Sequence, residues 1–456
     1  MQLKNKRKTI RTGLFLWIVL LLGHGTMAQT QQLTLQDALQ YALKASHDVR
    51  KAQLDIENGT YQIDEVKARA LPQINANGSL TYNPVLQLTA LPGELAGQPG
   101  KTLLVAFGQK WNTGASLSLS QTLFDQGVFT GLKAAKSTQE FYRLNAELTE
   151  EQLIELVASA YYQVLVQRHK IGVLDTTIVN TERVQKIIKG QYENGLAKQI
   201  DVDRIAVKIS NLQSQKQQAL NTVTQMENQL KYSMGMTVQN TINLPPVDFS
   251  NIQPQLQPIG DSLDISNRSE MRLLKQQGLL LKFQKDAVKA EYFPTLSLSG
   301  NYGYQGLGNE FPWFKGPTVN WFDYASVGLT LKVPIFNGFA TRSRIRQADV
   351  EIRKLKEDID QTSLSLNLQY ENAKTKMNSS FIVMRNQADN VDLAQKVFDN
   401  TRNNYNNGLA PLTDLLDAET SLTEANNNHS AALLDYKLAE IQLIKAKGNL
   451  KTLLNK

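Results

Sequence analysis

A chain of 456 residues with a formal net charge of +7 and no cysteine excludes disulfides, thiolate metal centres and an acylated cysteine anchor. The charge is no pointer to nucleic acid, because Lys4, Lys6, Arg7, Lys8 and Arg11 lie together at the start and leave about +2 for the rest. Charged and polar residues are dispersed and apolar ones lie in stripes, which suits packed helices and half-wet strands better than one large globular core.

In chain order, residues 1–28 carry that basic start, an apolar run from Leu14 to Leu22 and Thr26-Met27-Ala28. They read as a secretory signal peptide, since the run is too short to span a bilayer. The first repeat is expected over 29–240. Its opening helix runs from about Leu33 to Ala70 and Pro72 ends it; then Ile74, Ala76, Gly78, Leu80 and Tyr82 alternate with polar residues. A Pro/Gly-rich loop over 83–113 leads to a second alternating run through Leu117, Leu119 and Leu123, which makes a hairpin with a long loop.

After Phe124 the pattern is helical to about Gln191. Leu153, Val157, Ala160, Val164, Ile171, Leu174 and Ile178 follow a heptad, so this face is a coiled-coil seam. A helix of some 65 residues is roughly 100 Å long. Tyr192-Glu193-Asn194-Gly195-Leu196-Ala197 breaks it, and a helix of Ile200 to Met236 follows.

An irregular Pro/Gln-rich connector is expected over 241–262, and a second repeat over 263–456. Here a helix from about Leu263 to Tyr292 is closed by Pro294, and alternating runs through Leu296–Tyr304 and Val327–Val333 flank a Gly- and aromatic-rich loop from about Gly306 to Asp323. Tyr302, Tyr304, Trp313, Phe314, Trp321, Phe322 and Tyr324 would suit an interfacial aromatic girdle. A long helix, about Ala340 to Asn404, shows Ile352, Leu355, Ile359 and Leu366, then resumes at Met377 after an eleven-residue step, a stutter. It ends at Tyr405-Asn406-Asn407-Gly408-Leu409-Ala410, and a last helix runs from Thr413 to Leu453.

Tyr, Asn, Gly, Leu, Ala and Asp recur between the two tips at a constant offset of 213 residues, so the chain is an internal duplication with two helical hairpin tips. Runs of about ten alternating residues suit tilted strands of an outer-membrane barrel, and a soluble sheet with one wet face is the alternative on alternation alone. Four strands cannot close a barrel, so several copies must contribute to one.

This organisation resembles the TolC-like outer-membrane efflux protein family. The doubled tip, Tyr-x-x-Gly followed by a helix with Asp-x-Leu, and the Pro-closed helix before each hairpin carry the resemblance over nearly all of the mature chain. It implies a fold that is mainly α with a membrane β-barrel part: a homotrimer whose four strands per chain complete a twelve-stranded barrel, with long coiled-coil helices forming a periplasmic α-barrel. The implied function is an outer-membrane exit duct working with a periplasmic adaptor and an inner-membrane pump of RND or ABC type. Asp414 and Asp417 match the family's charged rings at the periplasmic gate, and on the residues alone they are equally a helix cap and a first-turn acid. Tyr405 matches a family tyrosine that locks the closed entrance, or is a tyrosine packed under the turn. The lock's arginine is replaced by Ala410. Asn194, Gly195 and Leu196 with Asn407, Gly408 and Leu409 match the adaptor-docking tips, or are helix C-caps with the leucine packed back.

No catalytic, metal or cofactor constellation emerges. His47, His169 and His429 are scattered on helical segments, and Gly303-x-x-Gly306-x-Gly308 reads as loop glycine without a phosphate-binding lysine. The chain is not expected to be an enzyme. A structural or adhesive coiled-coil protein of the envelope is the alternative function.

Overall fold

Period-two and heptad patterns set the elements, and Gly and Pro end them. The computed structural model describes residues 32–97, 99–245, 264–312 and 318–455. The signal segment 1–28, most of the connector 241–262, and Trp313 and Phe314 lie outside the described residues. The described residues group into two units, each drawing on both repeats: a helical unit from Met1–Ser46, Glu151–Asp261 and Asn372–Lys456, and a strand-bearing unit from His47–Glu150 and Ser262–Glu371.

The strand-bearing unit holds an antiparallel sheet of β1 (Gln73–Tyr82), β4 (Trp111–Phe124), β5 (Thr295–Gly308) and β6 (Val319–Lys332), in that spatial order. Register assigns each face. Ile74 pairs Leu119, Leu119 pairs Gly300 and Gly300 pairs Val327, so one row is apolar. The adjacent row is Asn75, Ser118, Asn301 and Ser326. Paired residues share a face, so the sheet has one apolar and one polar side. The apolar side is not a core: Ile74 is 70% exposed, Val327 83% and Leu329 67%. A soluble sheet would bury that side, so the alternation fits a strand with one face for lipid.

Three departures from the sequence expectations have physical causes in the structure. The loop over 83–113 is partly structured, because β2 (Leu88–Pro92) and β3 (Thr102–Ala106) form their own antiparallel hairpin, and β4 begins at Trp111. Pro92 is tolerated as the last residue of β2. The second loop is shorter than its glycines suggest, since β5 continues to Gly308 and β6 starts at Val319. Gly303 and Gly306 are strand residues placed opposite Tyr324 and Trp321, whose rings fill the room a side chain would take. A Cβ on Gly306 would stand 2.8 Å from the Trp321 ring, so these glycines make space for aromatics rather than a loop.

The third departure is in the opening helix, which is two helices, α1 (Leu35–Ala45) and α2 (His47–Ala68), parted at Ser46. Thr34 caps α1 through a capping box with Asp37. The break lies where the chain at Gly235 crosses: a Cβ there would be 2.7 Å from the Ala45 carbonyl oxygen and 3.0 Å from the Ser46 nitrogen. Backbone contact this close leaves room only for glycine.

The remaining helices are α3 (Gln126–Glu193), α4 (Gln199–Ser233), α5 (Ser269–Ala290), α6 (Ala340–Asn406) and α7 (Leu412–Ala446). The α5 helix starts later than expected, after a short turn at Ile265–Asn267 held by Asp264. The α7 helix ends at Gly448 (φ 75°) as α4 ends at Gly235 (φ 73°), and Leu450–Leu454 form a 3-10 turn beyond it. These glycines are also 213 residues apart, so the duplication extends to the helix ends. The heptad of α3 is a seam: Leu153, Val157, Ala160, Val164, Leu174 and Ile178 are buried, and Leu174 and Ile178 pack on Leu212 and Ala219 of α4. In α6, Tyr370 and Ala373 are buried within the eleven-residue step, continuing the apolar face through the stutter.

Candidate functional site: the paired hairpin tips

Each long helix ends in the same hydrogen-bonded turn. At the first tip Leu196 N–H donates to the Gln191 carbonyl at 2.7 Å and Gly195 N–H to that of Tyr192 at 2.9 Å; at the second, Leu409 donates to Asn404 at 2.8 Å and Gly408 to Tyr405 at 2.9 Å. This is a Schellman closure, with glycine at positive φ, 75° for Gly195 and 73° for Gly408. The asparagines finish it, since Asn194 Nδ2 donates to Gly190 O at 2.7 Å and Asn407 Nδ2 to Asn403 O at 2.9 Å. Spent carbonyls hold each apex rigidly. The leucines do not pack back: Leu196 is 80% exposed and Leu409 78%.

The two tips are joined within one chain. Tyr405 is half-buried, and its hydroxyl donates to Gln191 Oε1 at 3.1 Å. Its ring packs against two apolar clusters, Ile188, Ile205, Ile209 and Leu412, and Phe398, Leu415 and Ala418. Burial, with nearby Asp201, raises the Tyr405 phenol above its ordinary range. Its repeat counterpart Tyr192 is exposed. Duplication thus supplied two tyrosines and packing uses one. Tyr405 is thus packed under the turn and bonded to a helix of the other repeat.

Asp414 and Asp417 are exposed, while Leu412, Leu415, Ala418 and Glu419 form the buried face of α7. Asp414 does not cap the helix: the capping position is Pro411, without a side-chain bond, and Asp414 sits in the first turn near Thr413 Oγ1 at 3.4 Å. An acid there is favoured by the helix dipole. The pair is free to face a pore or another copy. Among the described residues no three His, Cys, Asp or Glu side chains cluster as a metal site within the chain.

Several residues escaped the sequence reading. Gln191 has no signature. Thr181 and Glu419 do, because each occupies an apolar-seam position of its helix, three residues after Ile178 and four after Leu415, and Thr181 Oγ1 lies 2.8 Å from Glu419 Oε1. Polar residues at seam positions are unusual and specify pairing. His169 and His429 come from different repeats; burial, with a smaller effect of the His429 charge, pushes the His169 imidazole below its usual range, and burial lowers His429 against the opposing charge of Asp392.

The profile of the outer membrane efflux protein family matches residues 38–236 and 266–449. The chain is 22% identical to outer membrane protein TolC of Escherichia coli over 440 residues, 94% of this chain and 84% of TolC. It is 24% identical to the alkaline protease secretion protein AprF of Pseudomonas aeruginosa, over 72% of this chain and 68% of AprF. Among solved structures, the CmeC outer membrane channel of Campylobacter jejuni superposes with a TM-score of 0.71 at 16% identity, over 91% of this chain and 85% of CmeC. With both repeats matched and the doubled tip and sheet in place, this chain is a member of the outer membrane efflux protein family.

Proposed function

We propose that this chain is the outer-membrane exit channel of a tripartite efflux or type I secretion assembly, passively conducting what an inner-membrane pump and a periplasmic adaptor deliver. The sheet carries this reading. Its apolar side is bare, and its outer strands β1 and β6 each leave a row of backbone donors and acceptors unpaired among the described residues. In a bilayer such edges must be closed. Three copies joined β6 to β1 give twelve strands and no free edge, whereas an adhesive coiled-coil rod would need neither the edges nor the bare side. No enzymatic step is involved, and relatives named for efflux and for secretion leave the cargo to the pump.

Cysteine pairs across the edges test closure. With each pairing of Asn75, Asn77 or Ser79 with Ser326 or Thr330, oxidation of membranes is expected to give covalent trimers for at least one pair and none for the single variants. No cross-link from any pair would refute the barrel.

At the tips, Asp414 and Asp417 form the gate, repeated by threefold symmetry around the axis, and Tyr405 with Gln191 keeps it shut. Asn194, Gly195, Leu196, Asn407, Gly408 and Leu409 offer the adaptor six rigid apices per trimer, each with an exposed leucine. Tyr405→Phe keeps the ring packing and removes one hydrogen bond of about 1 kcal/mol per copy. The expected result is a several-fold rise in open time in planar bilayers with the unfolding midpoint lowered by only about 1–2 °C; an unchanged open time would take Tyr405 out of the lock.

A further inference from the structure

Between α3, α6 and α7, close to the tips and within the helical unit, lies a cavity of about 290 Å³ into which Glu419 faces. Glu419 is 4% exposed. Among the described residues Thr181 is the one side chain within hydrogen-bond distance of its carboxylate. Thr181 Oγ1 stands 2.8 Å from two acceptors, Glu419 Oε1 and the Thr177 carbonyl, and its single hydrogen serves one at a time. Burial pushes the Glu419 carboxyl upward, against smaller opposing effects from Thr181 and Lys208.

The hydroxyls beside Glu419 are short of hydrogens too. Thr176 and Thr177 donate to the carbonyls of Gly172 and Val173, each at 3.0 Å, and Thr423 donates to that of Glu419 at 2.8 Å. Asn426 turns its amide nitrogen to the Leu422 carbonyl at 3.0 Å. The shorter bond of each hydroxyl is to its own helix, with Thr177 Oγ1 and Thr423 Oγ1 3.4 Å apart across the cavity, so lone pairs are left facing it. Arg402 lines the cavity but bonds Asp399 at 2.9 Å and lies over the Phe398 ring, and Lys208, whose charge reaches Glu419, bonds Thr420 Oγ1 at 2.6 Å; neither comes within ion-pair distance of the Glu419 carboxylate.

A buried carboxylate among acceptors calls for a proton or a cation that brings several donors. An ammonium group carries one charge, matching one carboxylate, with three N–H donors and no acceptor. The cavity has space for about ten waters at their liquid volume, more than a bare ion fills, and Val173, Phe398 and Leu422 give it an apolar wall. We propose that this cavity binds a small primary alkylammonium ion, its charged end held by Glu419, Thr177 and Thr423 and its chain against Phe398 and Leu422. The ion ties α3 to α7 and so fastens the first tip hairpin to the second. Binding itself is independent of the transport reading.

The experiment is a titration of the purified, detergent-solubilised protein with n-butylammonium chloride in phosphate buffer, since Tris is itself a primary ammonium. Thermal unfolding and calorimetry are read together. The expected result is a saturable rise of about 3 °C in the unfolding midpoint, absent with tetramethylammonium, which has the charge without N–H donors, and with sodium at equal ionic strength. Glu419→Gln should abolish the rise, Thr423→Val should weaken binding about tenfold, and Asp414→Asn with Asp417→Asn should leave it intact. No saturable rise, an equal rise with tetramethylammonium or sodium, or a rise kept by Glu419→Gln and lost with the Asp414/Asp417 pair would each overturn the proposal. Should Glu419→Gln not fold, Thr423→Val and the ligand series on the unmodified protein still decide.

Discussion

Neutralising the gate, with Asp414→Asn and Asp417→Asn together, is expected to raise the half-blocking concentration of a divalent cation at least 100-fold in planar bilayers and to increase single-channel conductance. In the proposed trimer the change would remove six carboxylates from the proposed ring. A divalent ion within about 4 Å of three carboxylates gains roughly 2 kcal/mol from each even at the dielectric constant of water. Losing half of that sum is about 3 kcal/mol, or two orders of magnitude in affinity. Both carboxylates are exposed and Asp414 is no cap, so the double change should leave stability within about 0.5 kcal/mol. Block and conductance that stay as they were would remove the two aspartates from the gate.

The largest stability effect is expected at Gly235. Gly235→Ala places a methyl 2.7 Å from the Ala45 carbonyl oxygen at a φ of 73°, so it suffers left-handed strain and a backbone collision together. The strain alone costs about 1–2 kcal/mol, and the collision forces apart the α1–α2 break. A total of about 3 kcal/mol or more is expected. Gly408→Ala shares the φ, also 73°, but meets nothing within 4 Å, so it reports the strain alone. The loss in unfolding midpoint for Gly235→Ala should be at least twice that for Gly408→Ala. Equal losses would show that the crossing over Ala45 places no constraint on the fold.

Much of the architecture was legible because it is periodic. The heptad from Leu153 to Ile178 named its own buried face, and the 213-residue offset named both tips. The sheet was legible as alternation, but that its apolar side is left bare emerged only from register and exposure, with Ile74 and Val327 in one row. Glycine was the residue most easily misread. Gly303 and Gly306 resemble loop residues in one dimension, and only the strand opposite, with Tyr324 and Trp321, explains them. The break at Ser46 was invisible for the same reason, since its cause lies at Gly235, far along the chain. At the site, Tyr405 could be found from the motif, yet nothing local distinguishes it from its exposed twin Tyr192. Thr181 and Glu419 left a fainter mark, polar side chains on apolar seams, whose meaning depends on the two helices meeting.

The account rests on several copies sharing one barrel, and the most direct test is native mass and single-channel conductance measured on one detergent-extracted sample of the mature protein. It predicts a particle of three chains that opens cation-selective pores when reconstituted. A water-soluble monomer or dimer without conductance would contradict it, leaving the bare side of the sheet to be covered by something other than lipid.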